Sequence, residues 1–520
     1  MVRLQNINTT DIVDAIGLAC HTMSNIFNAD DNDIPFFRII ARPEPFLGIS
    51  CEEHVPGRHL NALLNAEDAA GIAIDEDVVD KHARAAFYSY SGPVPLPLAR
   101  KEGRDDPIKF VPHHVREGFH ALNALVQYRN CRKARRLAEE SIACIFEYFD
   151  VESTWDWDRL EQKFGLSFQK APSFVSGLAR AIGPLVKYYR TTSYGPALEL
   201  AIALKEKLLR EIFNQEGDYD LEKFGTHAHS VTCVMSSLAQ LADLLSDSAL
   251  MAYVKAFYDN GLWQMRDALG WSVESTDPQG ANPDEGEMNN TGDIVETALI
   301  LGRWGHSHCF HDVERTLRCH LLPSQLRDVS FVEEQDNPDG TDGLRDVAER
   351  MRGCFGFPAP FGHEPLENKR IRFNTDVVGG TVGSLCEVLR EMTRLDQSGH
   401  WVNLLFDCDT PYIQVESPYT HSALRVKIKC PAPLFVRLPP WVERRDLRLE
   451  GIRDQPLFTN GYAFIARPPI NRSIAFAFPL VEQDLTLKHR TRDIRVHLRG
   501  DEVATMQNFG ADLTFFDPLD

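Results

Sequence analysis

Residues 271–293 gather acids and amides around one indole: Trp271, Glu274, Asp277, Asp284, Glu285, Glu287, Asn289, Asn290 and Asp293. Paired carboxylates beside an aromatic ring are the equipment of glycoside cleavage. One acid protonates the leaving oxygen while another attacks or stabilises the anomeric carbon. A solvated acidic loop would show the same residues, since charge runs usually face water. Asn289, Asn290 and Asp293 differ in kind, because they adjoin the apolar run "IVETALILG", where burial demands hydrogen-bond partners. Helix capping accounts for one of the three and not for all.

Three further groups could carry chemistry. "SCEEHVPGRHLNALLNAED" sets Glu53, His54, Arg58 and His59 at a loop-to-helix junction, where they could line the mouth of a pocket or complement a helix N-terminus. "GTHAHSVTCVMSSL" places His227 and His229 near a helix start. On a helix their side chains diverge, so the pair reads as a substrate-hydroxyl contact or a cap and no metal site is expected. "RFNTDVVGGTVGSLCEVLREM" follows Asp376 with Gly379, Gly380 and Gly383. This is no dinucleotide loop, but a place of close backbone approach or tight packing. His306, His308, Cys309 and His311 are ligand-type residues without ligand spacing, and neither a phosphate-binding loop nor a nucleophile elbow is present.

Those residues must be held by two kinds of element. Up to about residue 398, apolar residues recur at three- and four-residue spacing, as in "RKARRLAEESIACIFEYF" and "GPALELAIALKEKLLREIF", giving roughly ten to twelve amphipathic helices joined by short turns. Without a fixed repeat, this points to a closed ring of helical hairpins and not to a regular solenoid. After "LREMTRLDQSGH" come short alternating runs, among them "PYIQVES", "ALRVKIK", "GYAFIARP" and "DIRVHLRG", which predict an antiparallel β-sandwich. The expectation is therefore an α+β multidomain chain: a helical-barrel catalytic domain over 1–398 and a β-sandwich domain over 399–520.

Composition narrows the partners. With 520 residues, 43% of them hydrophobic, the chain buries a sizeable core. A formal charge of -20, from 55 basic and 75 acidic residues, disfavours nucleic acid, whose phosphates need clustered Lys and Arg. Eleven scattered cysteines without a C-x-x-C pair predict buried thiols in a reducing, cytoplasmic setting. No secretory signal and no run of roughly 18 apolar residues suggests export or a membrane.

The succession "THAHSVTCVMSSLAQLADLLSD", "GEMNNTGDIVETALILGRWG", "FNTDVVGGTVGSLCEVLREMTRLDQSGHWVNLLFD" and "LFVRLPPWV" resembles the β-L-arabinofuranosidase family, glycoside hydrolase family 127, across roughly residues 220 to 500. A weaker echo lies at "HVPGRHLNALL". The resemblance implies an (α/α)6 barrel followed by β-sandwich domains. It also implies a retaining glycosidase whose cysteine nucleophile is held on zinc by a Glu-x-Cys pair and a later Cys-Cys pair. Here the first pair reads Glu287-Met288-Asn289 and the second falls near Val377, Val378 and Gly379, so the glutamate is kept and the thiolates are not. Cys354 and Cys386 lie too far off in sequence to stand in. The family's acid/base glutamate falls near Glu274. The expectation is thus a glycosidase on a small carbohydrate substrate with no cofactor. Glu274 serves as acid, and Glu287, Asp293 or Asp376 as its partner. His54, Arg58, His59, His227, His229, Trp271 and Asn289 contact substrate. A sugar lyase or isomerase on the same barrel and a non-catalytic sugar-binding protein are the alternatives, and the sequence leaves room for a homodimer.

Overall fold

The computed structural model describes residues 7–101, 105–152, 154–279, 282–366 and 370–519. Twelve helices build the barrel: α1 (Ile12–Asn25), α2 (Val55–Ala70), α3 (Glu76–Ser89), α4 (Val115–Arg129), α5 (Arg132–Tyr148), α6 (Ile182–Thr192), α7 (Gly195–Glu211), α8 (Ala228–Leu245), α9 (Ser248–Asp259), α10 (Met288–Arg303), α11 (His308–Thr316) and α12 (Thr375–Met392). The even-numbered helices pack in sequence, α2 on α4, α6, α8, α10 and α12, and α12 returns to α2, closing an inner ring of six. The odd-numbered helices lie outside it, each against an inner helix next to it in the chain, and α1 also packs on α12.

Patterning explains which helix goes where. In α5 the buried positions Ala134, Leu137, Ala138, Ser141, Ile142 and Ile145 form one stripe, the signature of a helix with one face in water. In α10 every residue from Met288 to Val295 is buried, polar ones included, so its hydrogen-bonding groups must find partners inside the ring. The glycines of α12 allow this crowding: a Cβ on Gly379 would come within 2.8 Å of the Arg58 backbone, and one on Gly380 within 1.9 Å of Asn289 Oδ1.

Small sheets at one end of the ring deliver chain into the inner helices. Strands β1 (Phe27–Asn28), β2 (Ile34–Arg42) and β3 (Phe46–Ser50) pair antiparallel, and a later strand, Ile371–Asn374, joins the other edge of β2. β3 leads to the N-terminus of α2, and Ile371–Asn374 runs straight into α12. The start of α2 and the start of α12 are therefore held by one sheet although about 320 residues separate them.

Beyond α12 the chain is β. One five-stranded sheet has the order Cys408–Asp409, Ile413–Glu416, Leu424–Ile428, Ile474–Ala477, Arg448–Glu450; a second has the order Leu457–Thr459, Tyr462–Ile465, Leu434–Arg437, Gly399–Val402, Thr393–Asp396. They share one apolar core, with Ile413, Val426 and Phe476 from the first and Val402, Val436 and Ile465 from the second. Pairing is antiparallel except where Leu434–Arg437 lies parallel to Gly399–Val402. The last sheet, Glu482–Lys488 to Asp517–Pro518, packs its Ile494, Val496 and Leu498 against Leu269, Ala359 and Phe361 of the barrel side. The joint is charged as well as apolar. Buried Glu314 meets Arg318 at 3.2 Å and Arg437, while Asp501 accepts from His311 at 2.9 Å, Arg315 at 3.0 Å and Trp441 at 3.1 Å. Among the described residues, no helix is long and apolar enough to cross a membrane.

Candidate active site

The inner helices direct their N-termini toward one cavity of about 340 Å³, lined by Phe37, Ile49, Ser50, Cys51, Glu53, His54, His113, His114, His227, His229, Glu274, Glu287, Phe357, Asn374 and Asp376. Helix N-termini present unpaired N–H groups and positive potential, so carboxylates gather there at reduced cost. Glu287 holds the N-cap position of α10 in extended backbone (φ -142, ψ 125), yet its side chain makes no cap bond and turns into the cavity. The loop before it doubles back: Glu274 N–H donates to Glu285 O at 2.9 Å and Glu287 N–H to Ser272 O at 3.0 Å, which brings Glu274 beside Glu287.

Two carboxylates are joined by one amide. Asn289 Nδ2 donates to Glu287 Oε1 at 3.0 Å and to Asp376 Oδ2 at 3.4 Å. Their environments part them. Burial, followed by the charges of Glu274 and Asp376, pushes Glu287 up to about 8. Burial would raise Asp376 too, but the hydrogen bond from His54 Nε2 at 3.2 Å and the charges of His54 and Arg58 hold it below the ordinary carboxylate value. One acid is thus protonated at neutral pH and the other ionised, which is the division that acid-plus-carboxylate chemistry requires.

Imidazoles wall the rest. His54 stacks on His113 at 5.7 Å between centroids and meets His114 edge-on at 5.2 Å, while His227 lies 5.8 Å from His113 and 5.7 Å from His229. Burial lowers His114 to about 3 and His227 to about 4, and drives His113 and His229 well below the free value, so all four rings are neutral. Underneath sits Glu117, fully buried, accepting from Arg180 Nη2 at 3.0 Å and Arg116 Nη1 at 3.2 Å with Arg58 Nε at 3.5 Å. Burial opposes its charge, but Arg180, His54, Arg58 and Arg116 hold it ionised, well below the usual carboxylate range.

Of the residues singled out in the sequence, Glu274, Glu287, Asp376, His54, His227 and His229 meet in this cavity, with Asn289 and Arg58 directly beneath. Glu274 sits at the rim, ion-paired to Arg372 at 3.2 Å. The two histidines converge where the sequence reading had them diverge. His227 is not in the helix but precedes it in extended backbone (φ -80, ψ 97), and both rings face Glu287, at 3.8 and 3.5 Å. Asp293, expected in the site, lies one turn below and outside the cavity lining, with Thr232 at 3.1 Å, His229 Nε2 at 3.5 Å and Arg116 at 3.7 Å. Two further expectations are corrected. Trp271 turns away, its Nε1–H donating to Pro358 O at 2.9 Å and its ring packing on His489. His59 is a core residue, bonded to Thr375 O at 2.8 Å and His82 at 3.3 Å, because one helical step from Arg58 swings it off the cavity face. His113, His114, Arg116, Glu117 and Arg180 were not singled out. The signal for the first four was a His pair followed by Arg-Glu at the head of a helix otherwise apolar enough to be inner.

The thiolate zinc centre implied by the resemblance does not fit. Asn289, Val377, Val378 and Gly379 carry no sulfur, and Cys354 and Cys386 lie in the apolar core. Cys51 does line the cavity, but burial and the charge of Glu53 hold its thiol far above its ordinary value, so it is no thiolate. His227, His229 and Glu287 remain a group whose ligand atoms lie within 4.8 Å of one another.

No protein-family model matches the chain, and no curated protein matches it. Its architecture is nonetheless that of solved glycosidases. A GH127 β-arabinofuranosidase superposes with TM-score 0.58 at 14% identity, over 95% of this chain and 78% of that one. A glycoside hydrolase superposes with TM-score 0.54 at 12% identity, over 86% and 76%. A GH127 β-L-arabinofuranosidase from Geobacillus stearothermophilus T6 superposes with TM-score 0.55 at 13% identity, over 86% and 75%. In fold, this chain is a GH127-like helical-barrel protein with β sheets following the barrel.

Proposed function

We propose that the protein is a glycoside hydrolase acting on a small oligosaccharide or glycoside, with Glu287 as acid and Asp376 as its ionised partner. The carrying observation is the Asn289 amide, which donates to both carboxylates while one is raised to about 8 and the other held down. Glu287 gives its proton to the glycosidic oxygen as that bond breaks, and Asp376 bonds to the anomeric carbon. Water then displaces Asp376, returning its own proton to Glu287. Because Asp376 bonds to the anomeric carbon in the first of two displacements, retention is the expected outcome. In this assignment Glu274 does not donate the proton; it keeps Glu287 protonated. Similarity in fold to β-arabinofuranosidases supports an arabinofuranoside as the first substrate to try. Free thiols at all eleven cysteines suit a reducing compartment such as the cytoplasm.

The test is release of aglycone from a panel of aryl furanosides and pyranosides, with the anomer of the first-formed sugar read by NMR. Retained configuration is expected. An unsaturated, ultraviolet-absorbing product would overturn the hydrolase in favour of the lyase, for which the neutral imidazoles around the cavity would be the bases.

A further inference from the structure

We propose that the opposite end of the barrel holds a second small-molecule site, built for a neutral sugar. A cavity of about 550 Å³ opens among the C-terminal halves of the inner helices, within the size range of small-molecule sites and ample for a mono- or disaccharide. It is separate from the cavity that carries Glu287 and Asp376, and its assignment does not rest on the hydrolase reading.

Its lining is polar where a packed core would be apolar. Asn61 and Asn123 are 8% and 2% exposed, and among the described residues the Asn61 amide side chain has no hydrogen-bond partner. Asn123 accepts from Thr191 Oγ1 at 3.2 Å, and its Nδ2 donates to no described residue. Gln240 spends its amide N–H on Ser236 at 3.2 Å and leaves its carbonyl oxygen over. These amide groups open onto the cavity, and a ligand that supplies hydroxyls would pair with their donors and acceptors together. Gly383 adds space, since a Cβ there would come within 3.2 Å of Asn61 Nδ2. Leu299 and Ile300 offer an apolar patch for the C–H face of a ring.

Charge selects a neutral ligand over an ion. The rim arginines are already paired: Arg190 with Asp243 at 3.0 Å, Arg303 with Glu391 at 2.6 Å and Arg390 with Asp68 at 2.8 Å. Lys187 has no ion pair among the described residues, but the Glu296 carboxylate shares the same wall and balances it. A narrow void of about 20 Å³ lies between the two cavities, lined by Asn61, Lys187 and Glu296 on one side and Asn289 on the other.

Calorimetric titration of the full chain carrying Glu287→Gln with arabinose, xylose, galactose and glucose tests this. At least one sugar should bind to two classes of site. Lys187→Met and Gln240→Ala, each checked for an unchanged thermal midpoint, should weaken one class at least tenfold. Asp376→Asn should alter the other class only. Absence of binding by every sugar, or binding that both lower variants leave unchanged, overturns the proposal. Inorganic phosphate binding at Lys187 in place of any sugar overturns it too. Turnover of aryl glycosides bears on the upper cavity alone, so the two readings fail separately.

Discussion

Arg58 donates from Nη2 to Nε2 of His229 at 2.9 Å, and this bond fixes a proton elsewhere. A guanidinium can only donate, so Nε2 accepts, and the neutral ring carries its hydrogen on Nδ1, 3.5 Å from Glu287 Oε1. Oε1 therefore faces two donors, Asn289 and His229, and Oε2 is the oxygen left to carry the acidic proton, on the side of His227. The site defines not only which carboxyl is acid but which of its oxygens.

Replacing that acid should cost most where protonation matters most. Glu287→Gln should lower kcat/KM by about 10²–10⁴-fold on alkyl glycosides and far less on aryl glycosides with acidic phenols, since such leaving groups need no proton. Asp376→Asn should lower both about equally. Rates across a leaving-group series check this, and a Glu287→Gln loss independent of the leaving group would remove Glu287 as the acid.

The pH profile follows from the two directions. Asp376 works ionised and lies below the ordinary carboxylate value, so the acid limb should fall below pH about 4. Glu287 works protonated and is raised to about 8, so activity should decline above pH about 8. Glu274 contributes to that rise through its charge, after burial. Glu274→Gln should make Glu287 easier to ionise and move the alkaline limb toward acid. An alkaline limb that stays put, or moves up, would disconnect Glu274 from Glu287.

Gly380 gives a finer probe. A methyl there would fall 1.9 Å from Asn289 Oδ1 and 3.2 Å from Arg58 Nη1, both ends of side chains and neither backbone. Gly380→Ala should therefore leave the barrel folded and push the Asn289 amide off its two acceptors. Activity should fall tenfold or more with the circular-dichroism spectrum unchanged. Wild-type kcat in this variant would show that the bridge does not position the pair.

The barrel was legible because helical periodicity survives in each of its hairpins, and strands such as Ile413–Glu416 and Leu424–Ile428 alternate cleanly. The pairing of Glu287 with Asp376 was not. The two acids are held together by an amide of α10 and by the strand that feeds α12, relations that exist only once the ring closes. Nor does a sequence say which way a loop aromatic points. The Trp271 indole found a buried carbonyl, and that hydrogen bond, not sugar stacking, sets its direction. His113 and His114 read as the ordinary start of an amphipathic helix, although Arg116 and Glu117 behind them mark a polar interior.

The convergence of His227, His229 and Glu287 raises the question of a divalent ion. For His229 to offer Nδ1 its proton must move to Nε2, which would then face the Arg58 Nη2 donor at 2.9 Å. Activity should therefore survive exhaustive chelation, and added zinc should inhibit by occupying Glu287. Loss of activity on chelation, restored by a stoichiometric divalent ion, would put the metal in the reaction.

The joint between barrel and sheets makes a prediction about stability. Burial alone would raise Asp501, but His311, Arg315 and Trp441 hold it well below the ordinary carboxylate value. A carboxyl depressed in the folded state adds stability that is present in full above its unfolded value, about 3.9, and is lost as pH falls through the folded one. Asp501→Ala leaves the half-buried Arg315 and the Trp441 N–H without their shared acceptor and should cost about 1–3 kcal/mol at pH 7. Because the wild-type advantage shrinks below pH about 4, the difference in thermal midpoint between the two proteins should narrow there. A difference that is the same at pH 7 and in acid would mean that packing around Asp501, and not its charge, joins the two halves.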